Sequence, residues 1–166
     1  MEIPDSQVRD VAEQYDDARR LLQQQPPGSG VLLPLLNTAA VAVELFLKSL
    51  STELIHSPIE NDGLSIVRSK PELQDHKLEA LLDKIPDDVR DDLENSFGKK
   101  SDVSLREMLR RYEGLFQVSR YPFEPPKEKN PLKHISEYSL MELMALSEFL
   151  RSYVAKIEAC DRIDWS

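Results

Sequence analysis

The stretch that decides the fold is Val31-Leu32-Leu33-Pro34-Leu35-Leu36-Asn37-Thr38-Ala39-Ala40-Val41-Ala42-Val43-Glu44-Leu45-Phe46-Leu47. It is apolar on nearly every side, the pattern of a central bundle helix rather than of a half-exposed one. Pro34 fits in its first turn, where the missing amide has no intrahelical partner. With Pro34, Asn37 and Glu44 inside it, the run falls short of the ~20 apolar residues that a bilayer span needs. The reading is a buried helix from about Val31 to His56, with no membrane span.

Upstream, Val8, Val11, Tyr15, Ala18 and Leu22 recur at helical spacing and predict an amphipathic helix from about Asp5 to Gln25. Pro26-Pro27-Gly28-Ser29-Gly30 breaks it. Downstream, residues 57–74 hold Pro58, Asn61-Asp62-Gly63 and Pro71 and are read as a loop. Asp75 is the expected N-cap of a helix carrying Leu78, Leu81, Leu82 and Ile85, and a short acidic helix follows from Pro86 to Ser96.

Ser104 and Glu107 have capping-box spacing at the start of the next helix, whose core face is Leu105, Met108, Leu109, Tyr112 and Phe116. That helix is expected to reach Arg120, where the proline-rich Tyr121-Pro122-Phe123-Glu124-Pro125-Pro126 begins an extended loop to Lys133. A last helix, from about Ser136 to Cys160, repeats Leu143, Leu146, Leu150, Tyr153 and Ile157. No long period-two alternation is present. The expectation is one all-α domain over residues 1–166, a bundle of about five helices, mostly up-and-down.

Charge narrows the function classes. The net charge of −9 argues against a protein that coats extended DNA, because phosphate binding rests on Lys and Arg. From Lys99 to His134, nine basic residues stand against five acidic ones, a surplus of +4 that leaves −13 for the rest and predicts a local basic surface. One cysteine cannot form an internal disulfide, and the N-terminus lacks a secretory pattern, so a cytoplasmic location is expected.

The exceptions on the apolar helix are informative. At 100° per residue, Glu44, Lys48 and Ser51 all fall within about 40° of Asn37, and Glu44 and Lys48 can pair at i, i+4. This stripe is either a solvent window or one wall of a polar cleft. Arg106, Arg110, Glu113, Gln117 and Arg120 form a second stripe, read as a solvated face except at Arg120. A guanidinium before a proline-stiffened turn can grip a carboxylate or phosphate bidentately. His76 is either a capping or surface residue or a third contributor to the cleft.

Catalytic signatures are missing. His56, His76 and His134 form no metal-ligand pair, so neither a metal nor a cofactor is expected. With five glycines there is no phosphate-cradling loop, and no serine stands in a nucleophile elbow.

Ala42-Val43-Glu44-Leu45-Phe46-Leu47-Lys48-Ser49-Leu50, His76-Lys77-Leu78-Glu79-Ala80-Leu81 and Arg120-Tyr121-Pro122-Phe123-Glu124, in this order, resemble the HEPN superfamily of nucleotide- and RNA-associated helical bundles. The resemblance covers about residues 31–124. It implies a four- or five-helix bundle that often dimerises, with a cleft here built from Glu44, Lys48, His76, Arg120, Tyr121 and Glu124. Many members are metal-independent ribonucleases marked by an arginine and a histidine with four to six residues between them, the histidine acting as general base. After Arg120 those positions hold Pro125, Pro126 and Lys127. The resemblance therefore implies a noncatalytic module binding a nucleotide, an RNA or a protein partner, often within phage-defence or toxin and antitoxin systems. The alternatives are a divergent ribonuclease and a purely structural or oligomerising bundle. The apolar last helix and the family habit point to a homodimer.

Overall fold

The computed structural model describes residues 4–51, 53–58, 65–70, 77–115, 119 and 139–163, with 53–58, 65–70 and 158–163 described as backbone only. The class is all-α. Among the described residues six helices form the molecule: α1 (Ser6–Gln23), α2 (Leu32–Ser51), α3 (Leu78–Lys84), α4 (Asp87–Gly98), α5 (Leu105–Tyr112) and α6 (Leu140–Ile163).

α2 is the core helix. Eleven of its residues are buried by α1, α3 and α6, and one face, carrying Pro34, Thr38, Val41, Leu45 and Lys48, stays half-buried or exposed. It is long and apolar enough to cross a membrane by length and composition, and the bundle buries just over half of it. α1 lies antiparallel against it, joined through a connection in which Gly28 and Gly30 adopt positive φ of 87° and 75°. The far end of this pair is fastened by Asp5. Its carboxylate accepts from the amides of Gln7 (2.9 Å) and Val8 (3.1 Å), capping α1, while its own amide donates to the Ser49 carbonyl of α2 at 2.8 Å.

α2 ends at Ser51, short of the expected His56. Glu53–Pro58 (β1) instead pairs antiparallel with Ser65–Lys70 (β2), Glu53 opposite Lys70 and Pro58 opposite Ser65. This hairpin corrects the loop expected over 57–74. Ile55, Ile66 and Val67 favour strands, Pro58 sits at a strand end where its missing amide is tolerated, and six residues per strand are too few for alternation to stand out.

α3 begins at Leu78 with Lys77 in the N-cap position, and Asp75 lies outside the described residues. α5 has the expected cap: the Ser104 hydroxyl accepts from the Glu107 amide at 3.2 Å. It stops at Tyr112 rather than continuing towards Arg120, because Glu113 turns extended and Gly114 takes a φ of 79°. Leu105, Met108, Leu109 and Tyr112 are buried, as are Leu143, Leu146, Leu150 and Tyr153 of α6. Residue pairs fix the directions of the outer helices. Arg106 reaches Asp83 and Arg110 reaches Glu79, so α5 runs antiparallel to α3. Phe97 meets Phe149 while the Tyr153 hydroxyl donates to the Val89 carbonyl, so α4 runs antiparallel to α6.

The expected basic surface is largely neutralised within the described residues. Arg106 contacts Asp83 (2.6 Å), Glu94 (3.3 Å) and Glu79 (3.8 Å); Arg110 pairs with Glu79 (2.7 Å) and Arg111 with Glu142 (2.8 Å). The solvated face expected for Arg106 and Arg110 is thus also a salt-bridged one.

Candidate functional site

Of the six residues expected to line the cleft, Glu44 and Lys48 are described; His76, Arg120, Tyr121 and Glu124 lie outside the described residues. Glu44 is only 7% exposed, so the α2 stripe is no solvent window at that point. One helical turn on, the Lys48 ammonium donates to Glu44 Oε1 at 2.6 Å. A largely buried pair of this kind neutralises both groups locally, which suits an interior stripe better than a free phosphate-gripping cation. At the other end of the stripe, Asn37 Nδ2 donates to Ser119 Oγ at 3.2 Å. Ser119 is buried and immediately precedes Arg120 in sequence.

A second constellation was not anticipated from the sequence. α1 buries only part of the face marked by its apolar residues. Val11 and Tyr15 are 42% and 39% exposed, and the positions fully buried against α2 and α6 are Ala12, Asp16 and Arg19. Asp16 accepts at Oδ1 from Arg19 Nε (2.6 Å) and from the Ser147 hydroxyl of α6 (2.7 Å), and at Oδ2 from Arg20 Nε (3.0 Å) and Arg151 (2.8 Å). Arg19 also donates to Gln23 Oε1 (2.8 Å), Glu148 Oε1 (2.5 Å) and the Met144 sulfur (3.3 Å). Arg20 also reaches Glu148, at 2.5 Å, and Arg151 reaches Asp17, at 2.6 Å. Three carboxylates and three arginines thus close a neutral network between α1 and α6.

Its electrostatics describe an anchor. Burial pushes the Asp16 carboxyl up, but the hydrogen bonds from Arg19, Arg151 and Ser147 outweigh it and hold the group at about 2. Burial likewise opposes the charge on Arg19, and its bonds to Asp16 and Glu148 raise its affinity for the proton. With its oxygens so fully used, Asp16 is unsuited to abstract a proton or ligate a metal. Burial and the neighbouring Glu142 raise Tyr112, whose hydroxyl donates to the Ser139 carbonyl at 2.7 Å. No group of three or more metal-ligating side chains occurs among the described residues.

The signal for the charged face was present as Ala12, Asp16, Arg19 and Gln23, which share one helical stripe. Sequence reasoning passes over it because Asp-Asp-Ala-Arg-Arg at 16–20 resembles an ordinary solvated surface. Burying the charged stripe turns the apolar one to the side: Val11 and Tyr15 are exposed, Val8 and Ala18 half-buried, and Leu22 packs partly against the core. Val8, Val11, Tyr15, Ala18 and Leu22 alternate steps of three and four, the a/d spacing of a coiled-coil seam. Neighbouring Leu21 is 64% exposed. No family model matches the chain, and no curated protein or solved structure matches it.

Proposed function

We propose that this chain is a noncatalytic helical binding module, HEPN-like in its pattern and cytoplasmic, whose working surface is the outer seam of α1 and whose first partner is a second copy of itself. The observation that carries the reading is the exposure of Val11 and Tyr15 on a helix whose inner face is given to a closed salt-bridge network. A strict a/d seam is the narrow stripe that one further helix covers.

The flanks of that seam select a copy over a charged partner. Positions adjoining it on the open side are Gln7, Gln14 and Leu21, none of them charged. Asp10 and Asp17, further out, are held by Arg9 and Arg151. Two such faces meet about a two-fold axis without like-charge repulsion, in the self-complementary manner of most homodimers. In an antiparallel pairing a positions face d positions, so Tyr15 of one copy covers the small Ala18 of the other, and Val11 lies over the half-exposed edge of Leu22.

Sedimentation velocity over a concentration series tests this. The wild type is expected to pass from 19 kDa to twice that mass, and Val11→Glu to remain monomeric. A wild type that stays at 19 kDa at high concentration overturns the proposal.

A second reading, a nucleotide or RNA held at the α2 stripe, is favoured by the Asn37–Ser119 bond, which joins the stripe to the residue before Arg120. It predicts that Arg120→Ala weakens ligand binding with the melting temperature nearly unchanged.

A further inference from the structure

Between the end of α4, the connection 99–104 and the third face of α6, a cavity of about 590 Å3 opens to the surface. That volume lies in the range of small-molecule sites. Phe97, Met108, Leu146 and Phe149 form its apolar wall. Phe97 meets Phe149 edge-on, with centroids 5.0 Å apart, and Phe149 stacks on Tyr153 at 6.1 Å, so the wall is stiffened from behind.

The charges around the cavity are unequally committed. Glu142 is held by Arg111 at 2.8 Å and by the Tyr112 hydroxyl at 3.2 Å. Glu148 is held by Arg19 and Arg20. Lys100 forms no ion pair among the described residues. Its ammonium sits 5.6 Å from the centroid of the Phe149 ring, with Lys99 beside it in the chain. Asp102 also lines the cavity, from an exposed position, whereas Lys99 lies outside the lining. Because Lys100 already covers Phe149, a ligand cation gains no use of that π face.

We infer that this cavity binds a small amphiphilic carboxylate, its acyl or aryl body against Phe97, Met108, Leu146 and Phe149 and its head group on the Lys100 ammonium. Burial of the body supplies most of the affinity, since an ion pair at an open mouth is weak. Lys100 supplies the preference for an anionic head group.

The test is a titration with octanoate, octanol and octylamine, followed by amide shifts in two-dimensional NMR. Octanoate is expected to give saturable shifts at Phe97, Lys100 and Phe149 and to bind more tightly than octylamine. Lys100→Met should weaken octanoate by about five-fold, the loss of one exposed ion pair, and leave octanol unchanged. Ala145 lines the cavity from an exposed position, so Ala145→Trp fills it without disturbing the core and should abolish both. The inference is overturned by the absence of saturable shifts, by octanoate binding that survives Ala145→Trp, by tighter binding of octylamine, or by Lys100→Met weakening octanoate and octanol alike.

Discussion

The Ser147 hydroxyl donates to Asp16 Oδ1 at 2.7 Å, joining two residues 131 positions apart at the buried seam between α1 and α6. Asp16 and Arg19 are both fully buried, so removing one charge leaves its partners desolvated and uncompensated. Asp16→Asn, nearly isosteric, should lower unfolding stability by roughly 3–5 kcal/mol in urea denaturation. Ser147→Ala removes one hydrogen bond donor and should cost about 1 kcal/mol. A loss below about 1 kcal/mol for Asp16→Asn would mean that the network contributes little.

Acid should act through the same carboxylate. Its proton affinity is depressed in the fold, from 3.8 to about 2. The stabilisation is therefore complete above pH ~4 and is lost as pH falls from ~4 towards ~2, with a magnitude on the order of 2 kcal/mol. Denaturation midpoints measured across that window should fall for the wild type and show a smaller step in Asp16→Asn. Parallel profiles for the two proteins would remove Asp16 as the cause.

Lys48 and Glu44 pair on α2 with most of both side chains covered. Lys48→Met is expected to destabilise by roughly 1–3 kcal/mol, because it deprives a buried carboxylate of a charged donor. A double-mutant cycle with Glu44→Gln should show a coupling larger than the few tenths typical of an exposed i, i+4 pair. Additive effects would return the pair to the status of a surface contact.

The chain carries no histidine at the spacing that the ribonuclease signature requires after Arg120. Losing a general base forfeits roughly 10²- to 10⁴-fold in rate. RNA incubated with micromolar protein in EDTA should remain intact on a denaturing gel. Cleavage that disappears with Arg120→Ala would establish the divergent ribonuclease instead.

The helical class could be read from the sequence wherever the apolar period was strong, as in α2 and along Leu143, Leu146 and Leu150 of α6. The Ser104 cap could also be read, because it is a local bond between residues three apart. Helix ends set by a single backbone choice were harder. Gly114 ends α5 through its positive φ, a conformation that glycine permits but does not announce. The inward face of α1 is not legible in its own residues for a different reason. Its apolar residues mark a seam, but which seam faces inward depends on Ser147, Glu148 and Arg151, over a hundred residues away, which make the charged face the buried one. For the candidate site, the Glu44–Lys48 pair followed from i, i+4 spacing, whereas the Asn37–Ser119 bond needed the fold.

The outward seam of α1 is tested most directly by distance measurement between copies. A single spin label at Gln14→Cys, with Cys160→Ser in the background, places one reporter beside the seam in each chain. Pulsed electron paramagnetic resonance should then give one short, well-defined distance between the copies, lost in Val11→Glu. An uncoupled label, or a coupling that Val11→Glu leaves unchanged, would contradict association through this face.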